Sequence, residues 1–425
     1  MILAHGKLYE SNSIIHILKK LPSDLEAVLS KEQITSAMVV NACNRLSIRI
    51  QNGEFQDIFR SFLNEQQLQL LVYMLSKECL YYKLKNELKM SIHNPRIVRT
   101  PKESMIYTRQ LEPLGVLFHI AAGNMDGLPA YSVIEGLLTC NINLLKLPKA
   151  DHSITIRLLM ELIKEEPALA NYIYVVDTPS TDLKVMKHLA NLSNAIVLWG
   201  SDETIKAVRS LAKPNTKIIE WGHKISFAYV TKEACDESQM KLLAEHILST
   251  KQLLCSSCQG IYLDTNQYDE VVIFAKQFFQ ILCEVATNYP EVPVGVRAQV
   301  SLLQYNRKLE NYNDFILKKS GVSVTVCCDN ELVGSYTYGN LWIKPLPNDK
   351  IVHTLYKHTG HLQTVGICCT KEQENNLMTK LVKAGITRIT PLDSMSELLV
   401  GESHDGEYPL SRYVKIVEIR RKISQ

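Results

Sequence analysis

Cys255 lies in the run Lys251-Gln252-Leu253-Leu254-Cys255-Ser256-Ser257-Cys258-Gln259-Gly260. This polar, small-residue turn follows a helical stretch at residues 238–248 and precedes the apolar run Ile261-Tyr262-Leu263. A thiol placed between helix and strand, outside a sealed core, can meet a substrate, and as a thiolate it is the strongest side-chain nucleophile. Three other positions offer matching chemistry. Asn124 follows Gly123 after an apolar strand, and its carboxamide there can donate to an oxyanion. Glu220 closes a strand, where ligands of parallel sheets bind, and Cys255 comes 35 residues later. Gly200-Ser201 joins a strand to a helix; glycine allows close approach to a phosphate, and the serine can cap a helix whose amides face an anion. Each has a plain counter-reading, as a loop thiol, a turn asparagine, an exposed strand end and an ordinary turn. Cys255 and Cys258 also form a C-x-x-C, the pattern of a redox dithiol or half a zinc site, but no second C-x-x-C stands at zinc-finger spacing. His353, His358 and His361 have no carboxylate in a ligand position, so no metal is expected.

The elements that must hold these residues follow from hydrophobic pattern. Apolar strands at residues 115–120, 142–147, 172–176, 195–199 and 217–219 alternate with helical stretches at 128–138, 153–165, 181–190 and 202–212. That alternation predicts a doubly wound parallel sheet with crossover helices. From Lys241 a second α/β unit begins, with strands at 260–263, 322–327, 364–369 and 386–390, and linkers at 288–294 and 345–350. The first hundred residues read as mainly helical and amphipathic, and no internal repeat is present.

A chain of 425 residues exceeds one core and suits two or three domains. Its net charge of +3 and lack of a basic tail exclude a nucleic-acid binder of the usual kind. No apolar run reaches the roughly 20 residues of a membrane span, and the first residues lack a secretory core. Eleven cysteines, an odd number, then point to free thiols and a cytoplasmic protein.

The order of these blocks resembles a family. Pro113-Leu114-Gly115-Val116 leading to Asn124, Lys146 in a strand, Gly200-Ser201, Glu220-Trp221-Gly222-His223-Lys224 and Gln252-Leu253-Leu254-Cys255 follow one another as in the aldehyde dehydrogenase superfamily. The segments 119–124, 219–227 and Gln363-Thr364-Val365-Gly366-Ile367, with His404-Asp405-Gly406, are similar to one branch of it, the LuxC-type acyl-CoA or acyl-protein thioester reductases. The resemblance runs from about residue 112 to 417. Lys251 stands where the superfamily has Gly, two leucines separate Gln252 from Cys255 where one residue is usual, and Cys258 stands where relatives have Pro.

The resemblance implies an aldehyde dehydrogenase-like fold. Residues 1–225 would comprise a helical region and the NADP-binding domain, 226–392 the catalytic domain, and 393–425 a segment returning to the cofactor domain or to an oligomer interface. It implies that Cys255 carries the acyl group, that Asn124 with the Cys255 N–H forms the oxyanion hole, and that Glu220 handles protons. Lys146 would contact the adenosine ribose or its 2′-phosphate, with Lys149 adding charge, which favours NADPH. Gly200 and Ser201 match the pyrophosphate turn; Gly222 stands in the glutamate block, Thr178 and Ser180 line the adenosine side by position, and Gln363 substitutes for the absent block that holds the nicotinamide ribose. The implied activity is reduction of a fatty acyl thioester to aldehyde, the donor being acyl-CoA or an acyl-protein such as an acyl carrier protein or an acyl-protein synthetase, in a homo-oligomer. Aldehyde oxidation to the acid, a non-reducing acyl-carrying subunit and a C-x-x-C thiol oxidoreductase are the alternatives.

Overall fold

The computed structural model describes residues 1–31, 34–59, 63, 65–90, 92–94, 96–98, 105–121, 127–148, 154–311, 314–397 and 399–422. Asn124 and Lys149 lie outside the described residues. The chain divides into two compact units, Met1–Gly222 with Leu399–Gln425, and His223–Leu398.

The first unit is built on the strands β1 (Ile2–Ala4), β2 (Lys7–Tyr9), β3 (Arg96–Val98), β4 (Met105–Pro113), β5 (Val116–Ile120), β6 (Ile142–Lys146), β7 (Ile173–Val176), β8 (Ala195–Trp199) and β9 (Lys217–Trp221). Its main sheet has the order β2-β1-β7-β6-β5-β8-β9. Strands β7, β6, β5, β8 and β9 are parallel, so the doubly wound sheet expected from the sequence is present, with its switch of direction at β5. Every residue of β5 and β6 is buried, because helices cover both faces of a parallel sheet. The polar strand residues His119 and Asn143 are fully buried; the His119 ring nitrogens meet Ser132 Oγ at 2.8 Å and Asn143 Oδ1 at 2.9 Å. This Ser-His-Asn chain is sealed from solvent and so is a satisfied core network, not a nucleophile.

The opening hundred residues are not helical throughout. β1 and β2 form a hairpin that extends the parallel sheet along β7 by antiparallel pairing. The helices that follow are amphipathic as expected: Ile14–Leu29 buries Leu18, Leu21, Leu25 and Val28, one face at helical spacing. Leu128–Leu138 buries nearly every residue and belongs to the core of this unit. The helix after β8 is Asp202–Arg209, three residues shorter at its end than the sequence suggests, with Ser210 as its C-cap.

The second unit contains β10 (Ile225–Val230), β11 (Cys258–Leu263), β12 (Phe315–Lys319), β13 (Val322–Val326), β14 (Asn340–Pro345), β15 (Leu362–Cys368) and β16 (Arg388–Pro391), in the order β12-β13-β14-β11-β10-β15-β16. All neighbours are parallel except β12 and β13. Strands β10, β12 and β14 were not among those expected from the sequence. β14 carries Lys344, which is fully buried and meets Asp329 Oδ1 at 2.5 Å, so an apolar pattern does not mark it. β10 has register shifts against both of its neighbours near Ser226. The last strand, β17 (Val414–Lys422), belongs to the first unit and pairs antiparallel with β4, which also pairs with β3. No described helix is long and apolar enough to cross a membrane.

Candidate active site

The helix Glu237–Thr250, N-capped by Asp236, delivers the chain to the Cys255 loop. It ends on two left-handed residues, Lys251 at φ 51° and Gln252 at φ 59°. Glycine tolerates that backbone region without penalty, whereas a residue with a side chain is strained there. Gln252 is buried and works as a clip: its amide nitrogen donates to the Cys258 carbonyl at 3.0 Å, and its amide oxygen accepts from the Gly339 N–H at 3.0 Å. Inside the turn, the Leu254 N–H donates to Ser257 Oγ at 3.1 Å and the Ser257 N–H to the Leu254 carbonyl at 3.0 Å. The hydroxyls of Ser256 and Ser396 lie 2.9 Å apart. Ser226 Oγ donates to the Cys255 carbonyl at 2.6 Å. The backbone on both sides of Cys255 is thus held, while Cys255 itself is partly exposed.

The two members of the C-x-x-C differ sharply. Cys258 opens β11, is fully buried and donates its thiol to the Gly260 carbonyl at 3.2 Å. Burial pushes its thiol up to about 12, so it is not a thiolate. None of the eleven cysteines is in a disulfide. His246, on the preceding helix, accepts the Cys258 N–H at its Nε2, 3.3 Å away. An imidazole nitrogen that accepts is unprotonated, and burial holds His246 down to about 4.

In the first unit, a residue expected in one strand meets a residue expected just beyond the next. Lys146 ends β6, is 4% exposed, and donates to Ser180 Oγ beyond β7 at 2.9 Å. Thr178 is buried nearby in the chain. Gly200-Ser201 joins β8 to its helix; Ser201 Oγ accepts from the Thr204 N–H at 3.4 Å, the cap the sequence suggests. A Cβ on Gly200 would stand 3.2 Å from the Thr204 side chain, so the turn is tight. Gly222 makes no comparable close approach: a Cβ there would be in ordinary contact with Ile205 at 3.4 Å. Glu220 is not a free carboxylate: Arg209 Nε and Nη2 donate to its two oxygens at 2.6 and 2.8 Å. Gln363 is buried in β15 of the second unit, apart from the other cofactor candidates in the chain's division.

The fold also brings together residues that are far apart in sequence. At the carboxyl ends of β8 and β9, the rings of Trp199 and Trp221 lie 5.6 Å apart, and the His404 ring is 5.0 Å from each. A tight turn presents His404: its N–H donates to the Glu407 carbonyl at 2.8 Å and its carbonyl accepts the Glu407 N–H at 2.9 Å, with Asp405 and Gly406 at positive φ. Ser226, His246 and Ser396 reach the Cys255 loop only through the fold. Among the described residues, one group of side chains has metal-ligand spacing, Asp314, Cys327 and Asp329. Its carboxylates are already engaged: Arg307 reaches Asp314 at 2.8 Å and Asp329 at 2.7 Å, and Lys344 reaches Asp329. A buried ion-pair network accounts for the cluster.

A model of the acyl-CoA reductase (LuxC) family matches residues 39–416. Among curated proteins, long-chain acyl-protein thioester reductase 2 from Photobacterium leiognathi is 25% identical over 326 residues, covering 73% of this chain and 65% of the relative. The long-chain acyl-protein thioester reductase of Photorhabdus laumondii is 24% identical over 320 residues, 73% of this chain and 64% of the relative. The chain therefore spans about two thirds of the length of these relatives, 65% and 64%. Solved structures show the same fold: NADP-dependent glyceraldehyde-3-phosphate dehydrogenase from Bacillus halodurans, complexed with NADP, has a TM-score of 0.73 at 11% identity over 100% of this chain and 99% of that one. A lactaldehyde dehydrogenase has a TM-score of 0.71 at 14% identity, covering 96% and 91%. The architecture is that of the aldehyde dehydrogenases.

Proposed function

Because the chain belongs to the acyl-CoA reductase (LuxC) family, we propose that it reduces a fatty acyl thioester to the aldehyde with NADPH, through an acyl group carried on Cys255. The observation that carries this reading is the loop itself: a partly exposed thiol on a backbone clasped by Gln252, Ser226 and Ser396, beside a Cys258 too buried to compete.

The Cys255 thiolate attacks the thioester carbonyl, and the donor thiol leaves and takes up a proton. Asn124 and the Cys255 N–H stabilise the oxyanion of that step on this reading. When bound, the reduced nicotinamide supplies a hydride for the acyl carbon. The hemithioacetal on Cys255 then collapses, releasing aldehyde and restoring the thiolate. The donor set at the carboxyl edge of the first unit fits an anionic dinucleotide: a buried ammonium at Lys146 beside the Ser180 hydroxyl, and a helix capped by Ser201. Lys146 and Lys149 would hold the ribose or its 2′-phosphate, Thr178 and Ser180 the adenosine side, Gly200 and Ser201 the pyrophosphate, and Gln363 the nicotinamide ribose. The donor is acyl-CoA or an acyl-protein.

Aldehyde oxidation to the acid is the second reading. It needs a free base to activate water, and the bidentate grip of Arg209 on Glu220 disfavours it. The test is to incubate the protein with acyl-CoA and NADPH, follow nicotinamide absorbance and identify the product. Aldehyde formation, lost by about 10³-fold or more in Cys255→Ala, is expected. Acid formed from aldehyde and NADP⁺ favours the second reading, acylation of Cys255 without NADPH consumption favours a carrier subunit, and full activity of Cys255→Ala sinks the mechanism.

A further inference from the structure

Ser226 is fully buried in β10, where that strand slips register against β11 and β15. Its hydroxyl accepts the Thr364 N–H at 3.0 Å and donates to the Cys255 carbonyl at 2.6 Å. The directions are unambiguous: an amide N–H can only donate and a carbonyl can only accept, so the hydroxyl proton goes to Cys255. The consequence reaches one atom further. A trans peptide unit is planar, with C=O and N–H pointing opposite ways. Fixing the Cys255 carbonyl on Ser226 therefore turns the Ser256 N–H away from Ser226.

Four other amides of this loop have acceptors. The Leu253 and Ser257 N–H groups donate to backbone carbonyls, that of Leu254 to Ser257 Oγ and that of Cys258 to His246. The Ser256 N–H has no acceptor among the described residues, although the Ser256 hydroxyl is engaged with Ser396. An unsatisfied amide next to a nucleophile, in a partly buried turn held on both flanks, is a donor waiting for an acceptor.

We propose that Ser226 is a positioning residue for acyl transfer: it holds the Cys255–Ser256 peptide so that the Ser256 N–H donates to the oxyanion formed when Cys255 attacks an acyl carbon. This rests on Cys255 being the acyl acceptor, but not on the identity of the acyl donor or reductant. The chemistry is the addition of the thiolate to a carbonyl, placing negative charge on the carbonyl oxygen, followed by loss of the leaving group.

The test compares two reactions of the same thiol in the full-length protein, with the Cys255→Ala background subtracted. Acylation by p-nitrophenyl acetate passes through an oxyanion, whereas alkylation by iodoacetamide displaces iodide and forms none. In Ser226→Ala, acylation should fall by about 10- to 100-fold while alkylation, and its dependence on pH, stays within about twofold. Because both rates are read on the same thiol, a loss of folded, reactive protein would lower them together. Ser226→Thr, which keeps the hydroxyl, should return the ratio to within about threefold of the wild type. Loss of both reactions in proportion, or an unchanged ratio in Ser226→Ala, overturns the proposal. If the ratio shifts as expected while wild-type protein fails to reduce acyl-CoA, the proposed function fails and this role of Ser226 stands.

Discussion

At the scale of single residues, the chemistry depends on which side chains are kept from acting. Cys258 is as good a nucleophile by type as Cys255, and burial removes it. His246 is near the loop yet is not a base for it, because its Nε2 is spent on the Cys258 N–H. This makes His246 a point of acid sensitivity. Its folded value of about 4 lies below the ordinary 6.5, so the unfolded chain binds the extra proton first. Stability from this group is complete above about pH 6.5 and is lost as pH falls toward 4, by about 3 kcal/mol in the limit. His119, held down to about 4 by burial in the first unit, adds a loss of the same sign. Denaturation followed between pH 7 and 4.5 should show falling stability, and His246→Asn should flatten part of that slope; a wild-type profile flat over the interval would contradict the assignment. Glu220 shows a second side of this: its type and place suggest a base, and in the structure its carboxylate is paired with Arg209 across helix and strand.

At the scale of elements, the helix-to-β11 junction is where the backbone is held in a conformation that side chains resist. Lys251 occupies a left-handed C-cap at φ 51°. A side chain in that region costs about 1–2 kcal/mol, and glycine's greater freedom in the unfolded chain returns part of it. Lys251→Gly is therefore expected to raise stability by about 0.5–1 kcal/mol, read from the denaturation midpoint, with Cys255 alkylation unchanged. A lower midpoint would mean that the Lys251 side chain contributes more than its backbone costs. Elsewhere, element recognition failed where burial and hydrophobicity part company. β14 hides a charged Lys344 by pairing it with Asp329. The helix Val294–Glu310 does the reverse, exposing Val294, Leu302, Tyr305 and Leu309 while burying Val300 and Gln304. Its pattern has helical period, but the face that period marks is the outer one.

At the scale of the whole molecule, the C-terminal segment 399–425 belongs to the first unit although the second unit intervenes in sequence. β17 pairs with β4 along its length, from Val414 opposite Pro113 to Lys422 opposite Met105, and the same segment supplies His404 to the tryptophan pair. Truncation after residue 398 should expose an edge of β4 and lower the first unit's stability. Hydrogen exchange would show it, as faster exchange in β5, β8 and β9 than in β10 and β11. Equal protection in full-length and truncated protein would show that β17 is dispensable.

The alternation of apolar strands and helices made the parallel sheet of the first unit legible, because a strand covered on both faces must be apolar along its whole length. The order of Lys146, Gly200-Ser201, Glu220 and Cys255 made the family legible, because each sits at a strand end or turn whose local chemistry is written in adjacent residues. Sequence also supplied the Ser201 cap, a bond spanning three positions. What tertiary structure alone decided is which groups are free. Ser226 reaches the Cys255 carbonyl across 29 residues, and Ser396 reaches Ser256 across 140. Arg209 closes on Glu220 because a helix packs beside a strand, and Cys258 is silenced because β11 is central in its sheet. Hydrogen bonding and burial are properties of neighbours in space, and a linear pattern carries them only when those neighbours are also close in sequence.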